Sequence, residues 1–132
     1  MNDLNRVLYV EDDPDIQAVA VMALEAVAGL TVQACDSGAE ALAVALEFAP
    51  DLIVLDVMMP GMDGPTTLAR LRELPTLADT PVVFVTAKTE AAEVERFLGL
   101  GALAVITKPF DPMQLGAQLR SIWQHDQAGR GQ

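Results

Sequence analysis

Cysteine is nearly absent from this chain: Cys35 is the only one among 132 residues. A single thiol closes no internal disulfide and builds no cysteine metal cluster, so a reducing cytoplasm is the simplest setting. Basic residues are scarce, 8 against 19 acids, for a net charge of −11. Nucleic-acid backbones and anionic membranes both call for lysine and arginine, so this balance argues against either as a direct partner. Long apolar runs are missing too. The longest, Ala18–Leu24, stops at Glu25, far short of the roughly 18 residues of a membrane span. The opening Met1-Asn2-Asp3-Leu4 lacks the basic-then-apolar order of a signal peptide. The one histidine, His125, lies near the end of the chain outside any motif and reads as exposed surface. Aromatic residues make up only 5%, whereas 20 residues are alanine, so the core is finely grained. What is left is one domain, with an apolar share of 52% that is ample for a single core.

Short apolar runs alternate with stretches of helical period. Val7–Val10, Leu30–Ala34, Leu52–Leu55, Val82–Val85 and Ala104–Ile106 are strand candidates. Most are too short and too continuously apolar for half-exposed strands, so they read as buried on both faces. Between them, Asp13-Pro14 offers an N-cap followed by proline at the first helical position, with Ile16, Val19, Ala20, Ala23 and Val27 on one face. Ser37-Gly38-Ala39-Glu40 fits a capping box, with Ala39, Leu42, Ala43 and Leu46 behind it. Gly64-Pro65 starts a third helix with Leu68 and Leu71 inward. Thr89 caps a fourth that uses Val94, Phe97 and Leu98. Asp111-Pro112 opens a fifth, with Leu115, Leu119, Ile122 and Trp123 at helical spacing.

Five strands alternating with five helices predict an α/β fold, a doubly wound five-stranded parallel sheet with helices on both faces. Right-handed crossovers bring the C-terminal ends of the strands to one edge, where such sheets bind ligands. The domain is expected over residues 1–125, and the polar segment 126–132 is expected to be disordered.

Four polar fragments sit just past the strands: Glu11-Asp12-Asp13, Asp56, Thr86 and Lys108. At a common edge, the carboxylates of Glu11, Asp12, Asp13 and Asp56 cannot all stay ionised without a partner; either a proton or a cation must join them. Oxygen ligands without cysteine or a suitable histidine favour a hard ion such as Mg2+ or Mn2+. Lys108 could be a charge-balancing partner. With the Thr86 hydroxyl at a neighbouring strand end, a phosphoryl group fits better: the ammonium pairs with one oxygen, the hydroxyl donates to another and the metal takes a third. No Gly-x-x-x-x-Gly-Lys-Ser/Thr loop is present, which points away from a bound nucleotide. A carboxylate nucleophile remains, giving an aspartyl phosphate.

These residues carry a family resemblance. Val-Glu-Asp-Asp at 10–13, Leu-Asp-Val-Met-Met-Pro-Gly-Met-Asp-Gly at 55–64, Val-Thr-Ala at 85–87 and Lys-Pro-Phe at 108–110 come in this order, each at a strand end. Together they resemble the response-regulator receiver domain, the CheY-like, flavodoxin-like fold of two-component signalling, over about residues 6–125. The resemblance implies the strand order 2-1-3-4-5 and Asp56 as phosphoacceptor. It implies Asp12 and Asp56 as direct ligands of Mg2+ (or Mn2+), Glu11 holding the metal's waters, and the Met58 backbone carbonyl completing the protein's ligands. Thr86 corresponds to the switch hydroxyl and Lys108 to the phosphate-binding lysine, with the Ala87 amide facing the phosphoryl group. A cis peptide between Lys108 and Pro109 would aim Lys108 inward. Asp13 is then a helix cap, Asp63 a structural loop residue, and Met58, Met59 and Met62 loop packing. The chain departs from the family at Val105, where many members carry a tyrosine or phenylalanine whose rotation reports phosphorylation. Leu103-Ala104 also lacks the acidic pair typical of the DNA-binding branch.

The expected function is a stand-alone phosphorylation switch in a His-Asp phosphorelay. A histidine kinase or histidine phosphotransfer protein supplies the phosphoryl group, and output is protein–protein binding to a target the sequence does not name. Such a protein is no enzyme beyond its own phosphorylation and dephosphorylation. Two alternatives stand beside it. A small metal-dependent phosphohydrolase would need a further acid or base and an insertion to build a substrate pocket. An unphosphorylated pseudo-receiver would have no use for the full set of acids, hydroxyl and lysine.

Overall fold

The structure of the protein, a computed structural model, describes residues 3–130. The apolar runs form five strands: β1 Arg6–Val10, β2 Thr31–Cys35, β3 Leu52–Asp56, β4 Val82–Thr86 and β5 Ala104–Thr107. The helices are α1 Pro14–Met22, prolonged by a π-helical turn at Ala23–Val27, α2 Gly38–Phe48, α3 Gly64–Leu71, α4 Ala91–Gly99 and α5 Pro112–Arg130. All strands pair in parallel in the order β2-β1-β3-β4-β5, the architecture expected from the sequence. Among the described residues no helix is long and apolar enough to cross a membrane.

Side chains alternate across the strands and fill two cores. Leu8, Val10, Ile53, Leu55 and Phe84 face one side, against Ala41 and Ala45 of α2, Leu68 and Leu71 of α3 and Phe97 of α4. Val7, Tyr9, Leu52, Val54, Val83, Val85 and Ile106 face the other, against Ala20, Leu24 and, from α5, Leu115, Leu119 and Trp123. Phe84 and Phe97 meet edge to face with ring centroids 5.2 Å apart, and truncating either ring would cost roughly 3–5 kcal/mol. Burial on both faces holds for β3 and β4 at every position. It fails for β2 and β5, because these are the edge strands and the helices cover them only in part.

The helix starts follow local chemistry. Asp13 Oδ1 accepts from the N–H groups of Asp15 and Ile16 at 2.9 and 3.2 Å, ahead of Pro14. Ser37 Oγ accepts from Glu40 N–H at 3.1 Å, while the Glu40 carboxylate reaches back to the Asp36 N–H rather than to Ser37. Asp63 Oδ1 accepts from Thr66 N–H at 2.8 Å and caps α3. Thr89 does not cap α4: the helix starts one residue later, behind Glu90, whose side chain makes no capping bond.

The predicted helix faces need correction on three helices, and on α1 Val19 is itself 38% exposed. The π turn inserts one extra residue per turn, so Leu24 takes the core position and Val27 is 50% exposed. On α2, Ala41 and Ala45 face the sheet instead of Ala39, Ala43 and Leu46, and Leu46 is 47% exposed; the smaller side chains let the helix lie close. On α4, Phe97 is buried but Leu98 is exposed. The tail also differs from expectation. Residues 126–130 continue α5, where the Arg130 guanidinium bonds the Asp126 carboxylate at 2.8 Å and the Asp79 carbonyl at 2.9 Å. Residues 131–132 of the expected disordered tail lie outside the described residues.

Candidate functional site

The period of two along the strands delivers the site. Continuing the face of Val7 and Tyr9 leads to Glu11, that of Leu52 and Val54 to Asp56, and that of Ile106 to Lys108. Three charged groups from three chain segments therefore emerge on one face at one edge. Thr86 follows Val82 and Phe84 on the opposite face of β4.

Glu11 is 1% exposed and Asp56 5%. The Lys108 ammonium stands 2.7 Å from Glu11 Oε1 and 3.0 Å from Asp56 Oδ1. The contact to Asp56 is a hydrogen bond, and the contact to Glu11 is a close ion pair. Glu11 Oε2 accepts from the Asp13 N–H at 3.1 Å. Two buried acids thus share one cation, a net negative site in a poorly solvating place. Burial pushes the Glu11 carboxyl up from the ordinary 4.5 to about 7, against the pull of Lys108 and with the help of the Asp56 charge. Burial alone would lower the affinity of Lys108 for its proton, but the Glu11 and Asp56 carboxylates outweigh it and raise its pKa.

A pH dependence follows for the metal-free protein. The folded Glu11 holds a proton more tightly than the unfolded one, so its contribution to stability is present below about pH 4.5 and is lost as pH rises through about 7. Glu11→Gln cannot titrate. The melting temperature of the wild type minus that of Glu11→Gln, measured in chelator, should fall across this window. A difference that stays level would mean that Glu11 keeps its ordinary acidity. A cation competes with the same proton, so its affinity should climb over the same range.

Asp12 is exposed beside this pair. Carboxylate oxygens of Glu11, Asp12 and Asp56 lie within 4.8 Å of one another. An all-oxygen set of this kind, short of positive charge, fits a hard divalent ion that keeps several waters. Asp13 is turned to its capping role. Met58, in the loop after β3, has an exposed side chain, and Ala87 follows Thr86 directly. Thr86 is buried, and its Oγ1 accepts the Lys88 N–H at 3.0 Å, which leaves its own hydrogen free to be donated. The Lys108–Pro109 peptide is cis. Asp63, His125 and the side chains of Met59 and Met62 take no part: Asp63 caps α3, His125 is exposed on α5, and Met59 packs in the core.

The sequence reading passed over Gly64 as a mere helix start. Its N–H donates to the Val57 carbonyl at 2.8 Å. A Cβ there would stand 2.5 Å from the Asp56 carbonyl oxygen and 2.9 Å from Val57 Cα, so only glycine lets α3 press against the backbone that presents Asp56. The Asp-Gly-Pro run at 63–65 is the sequence signal, but it marks a turn and not a contact. Tyr9 was likewise read only as part of a strand. Its buried hydroxyl makes no hydrogen bond among the described residues, and burial, Glu11 and Asp56 all raise its pKa.

The arrangement offers a buried carboxylate, a cation already bonded to it, a free hydroxyl and a three-acid oxygen cluster, which suits transfer of a phosphoryl group to Asp56. Residues 7–120 match the family described as the response regulator receiver domain. The chain is 38% identical over 117 residues to the DNA-binding dual master transcriptional regulator RpaA of Synechocystis, an alignment that takes in 89% of this chain and 48% of that protein. It is 40% identical over 123 residues to the transcriptional activator protein IrlR of Burkholderia pseudomallei, covering 93% and 52%. The chain thus spans about half the length of these curated relatives. Among solved structures, the chemotaxis protein CheY4 of Vibrio cholerae superposes with a TM-score of 0.84 at 30% identity, covering 90% of this chain and 98% of that one. The site, the sheet order and these likenesses converge: the chain belongs to the response regulator receiver domain family, the phosphorylation-dependent switches of two-component signalling.

Proposed function

We propose that Asp56 is the phosphoacceptor of this receiver. The observation that carries the reading is the buried Asp56 bonded to Lys108 beside a second buried acid, with the free Thr86 hydroxyl at the adjacent strand end. One Asp56 oxygen attacks phosphorus. The bond from phosphorus to the donor's leaving group breaks, and its electron pair leaves with that group. Asp56 then carries an acyl phosphate. Lys108 exchanges its carboxylate partner for a phosphoryl oxygen, Thr86 donates to another, and the Ala87 N–H faces a third. Asp12, Asp56 and the Met58 carbonyl would hold Mg2+ (or Mn2+), with Glu11 on its waters, and the ion would supply charge neutralisation at the transferring group. Asp12, at the open side of the cluster, is placed to admit the ion.

A histidine kinase or histidine phosphotransfer protein is the donor in this reading, a further protein is the target, and the receiver works in the cytoplasm; neither nucleic acid nor membrane is contacted directly. The movement of Thr86 toward the phosphoryl group alters the loop into α4, and the surface of α4, β5 and α5 reports it. Val105, partly buried beside Phe84, has no large ring to swing, so the Thr86 and Lys108 contacts drive the change.

A small acyl phosphate plus Mg2+ should add one phosphoryl group to the purified protein, seen by intact mass spectrometry, and a chelator should suppress it. No adduct under saturating donor would sink the reading. The phosphohydrolase alternative predicts continued turnover of a diffusible ester, and no feature of the site favours it.

A further inference from the structure

Gln17 lies in α1, where its backbone N–H donates to the Asp13 carbonyl at 2.9 Å. Its side chain reaches back to the strand ends. Nε2 stands 3.0 Å from the Glu11 carbonyl oxygen, 3.1 Å from the Cys35 carbonyl oxygen and 2.9 Å from Asp36 Oδ1. An amide nitrogen carries two hydrogens, so three acceptors share two donors. Two of the acceptors have other recourse. The Cys35 carbonyl also receives the Glu11 N–H at 3.0 Å, and the Asp36 carboxylate is exposed to water. The Glu11 carbonyl relies on Gln17. That carbonyl belongs to the peptide joining Glu11 to Asp12, two acids of the proposed metal site.

We infer that Gln17 is a positioning residue for the metal site, its amide fixing the plane of the Glu11–Asp12 peptide and so the relative placement of two carboxylates. The inference rests on the metal-dependent reading above. Glu11 has three further ties: its N–H to Cys35, its Oε1 to the Lys108 ammonium and its Oε2 to the Asp13 N–H. None of them holds its carbonyl, so without the amide the 11–12 peptide can rock and carry Asp12 away from Glu11 and Asp56. A neutral donor suits the place. A carboxylate there would face three oxygens, and an ammonium would compete with the cation for the same acids.

Outer contacts that orient metal ligands govern affinity more than fold, with losses of about 10- to 100-fold when removed. Calorimetric titration of the metal-free protein with Mg2+ should therefore show an affinity about tenfold weaker for Gln17→Ala. Gln17→Glu should lose more. Asp36→Asn, which keeps the bonds to Glu11 and Cys35, should stay near the wild type. At saturating Mg2+ the phosphorylation rate of Gln17→Ala should return close to the wild-type rate, since the groups that touch the phosphoryl are untouched. The Asp12 amide resonance should shift in metal-free Gln17→Ala. If that variant melts too low to titrate, Gln17→Met keeps the bulk and lacks the donors. Wild-type Mg2+ affinity in a folded Gln17→Ala or Gln17→Met protein overturns the inference. A wild type that binds no Mg2+ overturns the functional reading instead, and the same titration tells the two failures apart.

Discussion

Asp56→Asn is expected to accept no phosphoryl group from a small donor, and to melt higher than the wild type when metal is absent. The first effect is a loss of the nucleophile, since an amide oxygen cannot form the acyl phosphate. The second comes from the charge count. The wild-type site confines Glu11 and Asp56, both buried, around the single Lys108 ammonium. Asparagine of nearly equal shape leaves one acid for one base and removes a repulsion between like charges. Relief of about 1 kcal/mol would raise the midpoint by roughly 4 °C in a domain of this size. Intact mass after incubation with acyl phosphate and Mg2+ reads the first effect, and a thermal melt in chelator reads the second. An undiminished adduct would place the nucleophile elsewhere. A lower melting point would mean that Asp56 stabilises the metal-free site, contrary to the electrostatic account.

Lys108→Met should act in the opposite direction. It keeps much of the stem and deletes the only cation that touches the pair among the described residues, leaving two acids without compensation. Breaking a buried ion pair from one side costs about 3–5 kcal/mol. Here the loss is limited, because Glu11 can take up a proton. Lys108 is one of the influences that lower the Glu11 pKa, so its removal raises that pKa further and makes the variant regain stability as pH falls. Mg2+ should restore part of the loss at neutral pH by returning positive charge. Urea denaturation in chelator and in Mg2+, at neutral and mildly acidic pH, measures all three. A variant as stable as the wild type in chelator would show that the acids do not depend on Lys108.

The strand ends are the most legible part of this sequence. Glu11, Asp56, Thr86 and Lys108 each break an apolar run, and a parallel sheet has no way to place such breaks except at one edge. The helix starts at Asp13, Ser37, Asp63 and Asp111 are local too, because a cap is satisfied within three residues. Helix phase is not local. On α2 several alanines compete for the sheet, and only the closeness of the sheet selects Ala41 and Ala45 over Ala43 and Leu46. The π turn that moves Leu24 into the core leaves no mark on a pattern made of Ala, Val and Leu. The last turn of α5 did carry a signal, the i, i+4 pair of Asp126 and Arg130, which the glycine-containing composition obscured. Gly64 and Gln17 were missed for a different reason. Each acts on the backbone of a distant segment, and no spacing along the chain announces a contact across folds of the chain.

The bond between Lys108 and Asp56 joins residues 52 positions apart, and it makes the site a property of the whole sheet. The cation arrives just after β5, an edge strand, while the acids belong to the central strands. Any partial opening that lifts β5 and α5 away, the kind of sub-global fluctuation that edge elements favour, strands two carboxylates with no counter-charge and is penalised for it. The ion pair therefore ties one edge of the sheet to its centre. Metal binding and phosphorylation, by changing what Lys108 is needed for, would alter how cooperatively that edge holds.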